Sequence, residues 1–292
     1  MVIRDRVKKS AGENMRRNLL LLLLLGLAAN SFSASSPEPL LREAAALART
    51  NVPAALALCD QAAAQFPTNA QPLAARARLL DNAHRYDEAL RDLSSALKLE
   101  PKSAPLWQGR GEVHFKAGRF KESVADFDRV LELAPAQAPH HWQRGISLYY
   151  AGRFTDGRQQ FESHLTVNPN DVENATWHFL CVAKESGVTN ARAAMLPVGP
   201  DGRVPMKEVE ALYRGQGTVE QVMKAAAQAR TGDAIFYANL YLGLYFDALG
   251  DTAKAREFIA LAGGDNSATH YMGDVARVHW RKLNADLRLI KY

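Results

Sequence analysis

Prolines recur through the middle of this chain at one fixed interval: Pro67, Pro101, Pro135 and Pro169 are each 34 residues apart. Such a period constrains the fold more than composition does, because it demands one supersecondary unit, repeated and stacked on itself. Other positions keep the phase. Ala77, Gly111 and Gly145 form a second ladder, with Arg76, Arg110 and Arg144 directly before it. His84, Gly118 and Gly152 form another, and Ala-Gly-Arg-Phe occurs at 117–120 and again at 151–154.

Each ladder has a physical reading. The small residue at 77, 111 or 145 falls mid-helix, where an antiparallel partner must come close. Glycine there costs about 1 kcal/mol of helix propensity relative to alanine, which packing must offset. Gly118 and Gly152 supply the left-handed conformation that ends a first helix. The proline stops the second helix and sets the linker. Between these marks Val124, Phe127, Val130 and Leu131 form one apolar stripe, with Asp126, Asp128 and Arg129 outside it. The arginines are expected to pack their stems over neighbouring helix ends and keep their heads wet.

A helix–turn–helix unit of 34 residues resembles the tetratricopeptide repeat. Trp107, Gly111, Phe127 and Pro135 carry the likeness in the best unit, and Gly145, Phe161 and Pro169 in the next. Ala77, Ala89, Leu93, Ala96 and Pro101 carry it in unit 70–103. Ser123 and Gly157 replace the family's alanine, and His141 its large apolar residue. The resemblance implies an all-α solenoid, antiparallel helix pairs stacked in a right-handed superhelix. A degenerate repeat is expected over 36–69, three repeats over 70–171, and a degenerate repeat with a helical insertion over 172–235. Within the latter, a loop at 197–203 precedes helices at about 205–214 and 219–230, the second begun by a Thr218–Gln221 capping box. A further repeat follows over 236–269, then a capping helix at about 270–285 within a final segment, 270–292.

The first 35 residues read as a signal peptide, with Met15 the better start. Arg16-Arg17 precede seven consecutive leucines and then small residues, the order that directs export and cleavage. The run is too short to span a bilayer, which needs about 20 apolar residues. No cysteine occurs before Cys59 to carry a lipid, so a soluble periplasmic or secreted protein is expected, without stable membrane insertion after cleavage. Formal net charge is +5, but residues 1–33 contribute +4 of it, so no nucleic-acid surface is expected. A leader, repeats, a helical interruption and a final repeat reading Tyr241-Leu242-Gly243-Leu244-Tyr245 with Leu249-Gly250-Asp251 make an order similar to the NlpI-type periplasmic adaptor lipoproteins, without their lipid-attachment cysteine. That likeness implies an adaptor for envelope enzymes.

No nucleophile elbow, zinc-protease, phosphate-loop or dinucleotide motif occurs. No cofactor or metal is expected. His140 and His141 point about 100° apart on a helix, too divergent to chelate one ion. Cys59 and Cys181 fall three units apart and read as separate buried thiols.

In tetratricopeptide proteins the first helix of each unit lines a concave groove. Here that implies Arg78, then Gln108, Glu112, Phe115 and Lys116, then Trp142, Ile146, Tyr149 and Tyr150. Helix 140–150 carries apolar residues on two faces, which suits either an aromatic anchor for a protein or peptide, or packing against the next first helix. The expected function is a non-catalytic binding scaffold, with self-association left open. An accessory subunit of an envelope peptidoglycan or proteolytic enzyme is the alternative. A third reading puts an enzyme site in the 197–234 insertion, where Lys207, Glu208, Glu210 and Arg214 fit a solvated helix face better than a catalytic set.

Overall fold

A computed structural model describes residues 36–263 and 269–289, and the leader lies outside the described residues. Every regular element among them is helical. Five antiparallel pairs form the frame. They are α1 (Glu38–Leu47) with α2 (Val52–Gln65), α3 (Gln71–Asn82) with α4 (Tyr86–Leu99), α5 (Ala104–Lys116) with α6 (Phe120–Leu133), α7 (Trp142–Tyr150) with α8 (Phe154–Leu165), and α13 (Gly232–Ala248) with α14 (Thr252–Gly263). Between the fourth and fifth pairs run α9 (Val172–Ser186), α10 (Val188–Ala194), α11 (Met206–Tyr213) and α12 (Val219–Ala229). The chain ends in α15 (Tyr271–Leu289). No helix among the described residues is long and apolar enough to cross a membrane.

The ladders become contacts sixteen residues apart. A Cβ added at Gly111 would stand 2.6 Å from the Phe127 ring, and one at Gly145 would stand 2.6 Å from Phe161. The small residue therefore accommodates an aromatic side chain of the partner helix, rather than a bare backbone approach. Gly118 and Gly152 take φ of +78° and +76°, and His84 fills the same turn at +56°. Thr218 and Gln221 complete a reciprocal capping box at α12. Helix α13 starts at Gly232, four residues before the phase returns, because Thr231 caps it through the Ala234 N–H.

Two expectations are corrected. Asp126 is not outside the stripe but buried, 4% exposed. The arginine heads are not merely wet, because each joins two units. Arg76 donates to Asp92 at 2.7 and 2.6 Å and also to Asp60 of the preceding pair. Arg110 donates to Asp126 at 2.8 and 2.7 Å and to Ser94 at 3.2 Å. Arg144 donates to Asp128 at 2.6 Å and Gln160 at 3.1 Å. A planar fork suits this double engagement, which a point charge would not satisfy.

The insertion is tied down by specific bonds. Arg203 donates to Asp171 at 2.7 Å and Asp201 at 2.6 Å, and also to Glu173. The Tyr213 hydroxyl donates to the Tyr241 carbonyl at 2.8 Å, and Arg214 to the Leu196 carbonyl at 2.7 Å. On α11, Lys207 is exposed and Glu210 pairs with Arg214 at 2.9 Å.

Candidate functional site

Helix α15 packs against α14 and lies back across the first helices α5 and α7, in the groove that they line. Its apolar face explains why: Met272, Val275, Ala276, Val278, His279 and Leu283 are all buried. Gly263 permits the close approach to α14, since a Cβ there would stand 3.1 Å from the Ala276 carbonyl oxygen.

The contacts in the groove are aromatic, ionic and hydrogen-bonded together. Tyr271 stacks on Phe115 at 5.4 Å and meets Trp142 edge-on at 5.1 Å. Lys116 lies 2.6 Å from Asp81 and 3.6 Å from Asp274. Burial pulls the Lys116 ammonium down, but the two carboxylates outweigh it and its pKa is raised. Arg281 donates to the Lys116 carbonyl. The Tyr150 hydroxyl pairs with His279 Nδ1 at 2.9 Å, and the Lys282 ammonium lies 5.9 Å from the rings of both Tyr149 and Tyr150. His279 is fully buried, and desolvation drives its pKa down to about 3.

This arrangement sorts the expected groove residues. Phe115, Ile146 and Tyr149 are 0%, 1% and 2% exposed, so their expected display to a partner is corrected. Phe115 is covered by Tyr271 and Tyr150, while Tyr149 is enclosed by Phe154 and Trp177. Trp142 and Tyr150 are half-buried. Gln108 donates to Glu112 at 2.8 Å, and burial raises the Glu112 carboxyl. Arg78 is exposed on α3.

Beside Trp142 the groove deepens into a cavity of about 340 Å³. Trp142, Trp177, Tyr237 and Tyr271 form aromatic walls, while Asp171, Glu173 and Arg203 form a charged edge. Glu173 accepts from Arg203 and from the Tyr241 hydroxyl, the latter at 2.5 Å. Burial raises its pKa in spite of both. Asp171 is lowered overall, because His164 and Arg203 outweigh its burial. None of Asp171, Glu173, Arg203 or Tyr237 is among the expected site residues. Asp171 and Glu173 open α9, whereas Arg203 lies in the loop before α11 and Tyr237 on α13, and no spacing in the chain links these three places.

Residues 74–138 match the tetratricopeptide repeat family model. Among solved structures the chain is similar to a tetratricopeptide repeat protein from Parabacteroides merdae, at 15% identity and a TM-score of 0.54, over 86% of this chain and 99% of that one. It is similar to MamA of Desulfovibrio magneticus, at 17% identity and a TM-score of 0.50, over 55% of this chain and 91% of that one. A C-terminal part of a repeat protein from Cytophaga hutchinsonii gives 15% identity and a TM-score of 0.50, over 80% of this chain and 99% of that one. No curated protein matches the sequence. These likenesses establish the fold.

Proposed function

We propose that this tetratricopeptide repeat protein is an exported, non-catalytic scaffold whose concave groove holds a helical segment of a protein partner. One observation carries the reading: the groove already holds a helix, α15, through stacked rings, the Lys116–Asp274 pair and the Tyr150–His279 bond. A surface that satisfies an amphipathic helix in cis has the chemistry to accept one in trans. Export rests on the leader, with its arginines, leucines and small residues in secretory order. The partner is then an envelope protein, and the adaptor role of the NlpI-type layout is one form this function takes.

The test is capture from an envelope extract on the immobilised mature chain, with and without a synthetic peptide of residues 270–289. Captured protein should be stripped by the peptide, and less should be captured by Lys116→Glu. Capture indifferent to both would place the binding surface outside the groove.

A further inference from the structure

The cavity beside Trp142 differs in charge from the rest of the groove. Two carboxylates of the lining, Asp171 and Glu173, share one guanidinium, that of Arg203, with a third, Asp201, that lies off the lining. Besides Arg203, the basic side chains on the lining among the described residues are His164 and His270. His164 Nε2 lies 3.8 Å from Asp171. His270 is stacked flat on Tyr237, at 5.7 Å and 12°. The Asp171 oxygens are unequally engaged. Oδ1 accepts from Arg203 at 2.7 Å and from the Glu173 N–H at 3.1 Å, whereas Oδ2 accepts over 3.3 Å from Asn168 and faces His164 Nε2 at 3.8 Å. Asn174, 3% exposed and also on the lining, has an Oδ1 without a donor.

Acceptors in excess beside aromatic faces attract a positive group. The negative faces of the rings and the carboxylates act in the same direction. An anion is repelled, and a neutral chain gains only the walls. At about 340 Å³ the space lies at the small end of the roughly 300–1,000 Å³ usual for ligand sites, room enough for one long side chain. We propose that this cavity binds an ammonium or guanidinium group on an alkyl chain, supplied by a lysine or arginine of the protein partner. The proposal rests on the protein-binding reading only for the source of the cation.

The experiment titrates the full chain with Nα-acetyl-lysine methylamide, its uncharged norleucine analogue and spermidine, read by calorimetry and by indole fluorescence, since Trp142 and Trp177 line the cavity. The lysine probe should bind saturably and about tenfold more tightly than the norleucine probe. Asp171→Asn, which keeps an oxygen to cap α9, should narrow that ratio. Tyr237→Leu, which leaves the ion network untouched, should weaken the lysine probe, with circular dichroism melting confirming that both variants fold. Equal binding of lysine and norleucine, or no saturable binding of either cation, overturns the proposal. Spermidine binding far more tightly than lysine overturns the side-chain source and assigns the site to a free polyamine. Because the probes are small molecules, their binding is read independently of whether the 270–289 peptide competes with a captured protein, so the two readings fail separately.

Discussion

At Gly111 one hydrogen stands between a stable helix pair and a clash, because the Phe127 ring occupies the space a Cβ would need. Gly111→Leu should lower the thermal midpoint by the equivalent of about 1–3 kcal/mol, the usual cost of overpacking. Trimming the ring in Gly111→Ala/Phe127→Leu should recover part of what Gly111→Ala loses, and non-additivity in that cycle is the measurement. Tyr149 behaves as core, so Tyr149→Ala should cost about 3–5 kcal/mol in folding. Protonation is the other residue-scale lever. His279 and His141, held neutral by burial, have pKa values of about 3 and about 4 in the fold, against about 6.5 in the unfolded chain. Between these values the unfolded chain binds protons that the folded chain refuses, so stability falls as pH drops from about 6.5 toward 4. Each group adds up to about 1.4 kcal/mol per pH unit. His164, raised by Asp171, acts in the opposite sense. His279→Phe should flatten the dependence of melting temperature on pH across that window, and an unchanged slope would show that His279 titrates normally. The glycines and His141 were legible as residues in phase, whereas His279 lies outside the repeats, and the partner atoms that give these positions meaning were not legible at all.

Between elements, the arginine ladder joins each helix pair to the one before. The Arg110 side chain is 19% exposed and that of Asp126 5%, and the guanidinium also lies 4.7 Å from the Trp107 ring. Arg110→Ala leaves a buried carboxylate without its counter-charge, and breaking such a pair costs about 3–5 kcal/mol. Arg110→Ala/Asp126→Ala should be less damaging than Arg110→Ala alone, as chemical denaturation would show. This ladder could have been read from the chain, since Asp92, Asp126 and Gln160 keep the same 34-residue phase as the arginines. Helix α15 is the opposite case. Its amphipathic pattern is plain at Tyr271, Met272, Val275, Val278 and Leu283, yet nothing in that pattern says which surface it covers. Asp274→Lys, which sets two ammonium groups against each other beside Asp81, should loosen α15. Its signature would be faster amide exchange in α15, with that in α3 and α4 unaltered.

For the molecule as a whole, the leader and the groove make separable demands. Under the proposed export, the leader should be cut at a bond between residues 29 and 36, and intact mass would decide; a mature chain retaining Leu19–Leu25 would refute cleavage. A solenoid gains its stability from neighbour contacts, and here the last helix crosses back to the middle of the array. The Tyr150–His279 bond spans 129 residues and the Arg281–Lys116 contact 165. The sequence by itself determined the unit, its period, the turn residues and the all-helical class, because each depends on interactions within one 34-residue span that recur in phase. Tertiary structure alone decided the course of α15, the burial of Phe115, Ile146 and Tyr149, and the joining of Asp171, Glu173, Arg203 and Tyr237 around one cavity. Those features depend on contacts between elements far apart in the chain, which bring together residues that no local periodicity relates.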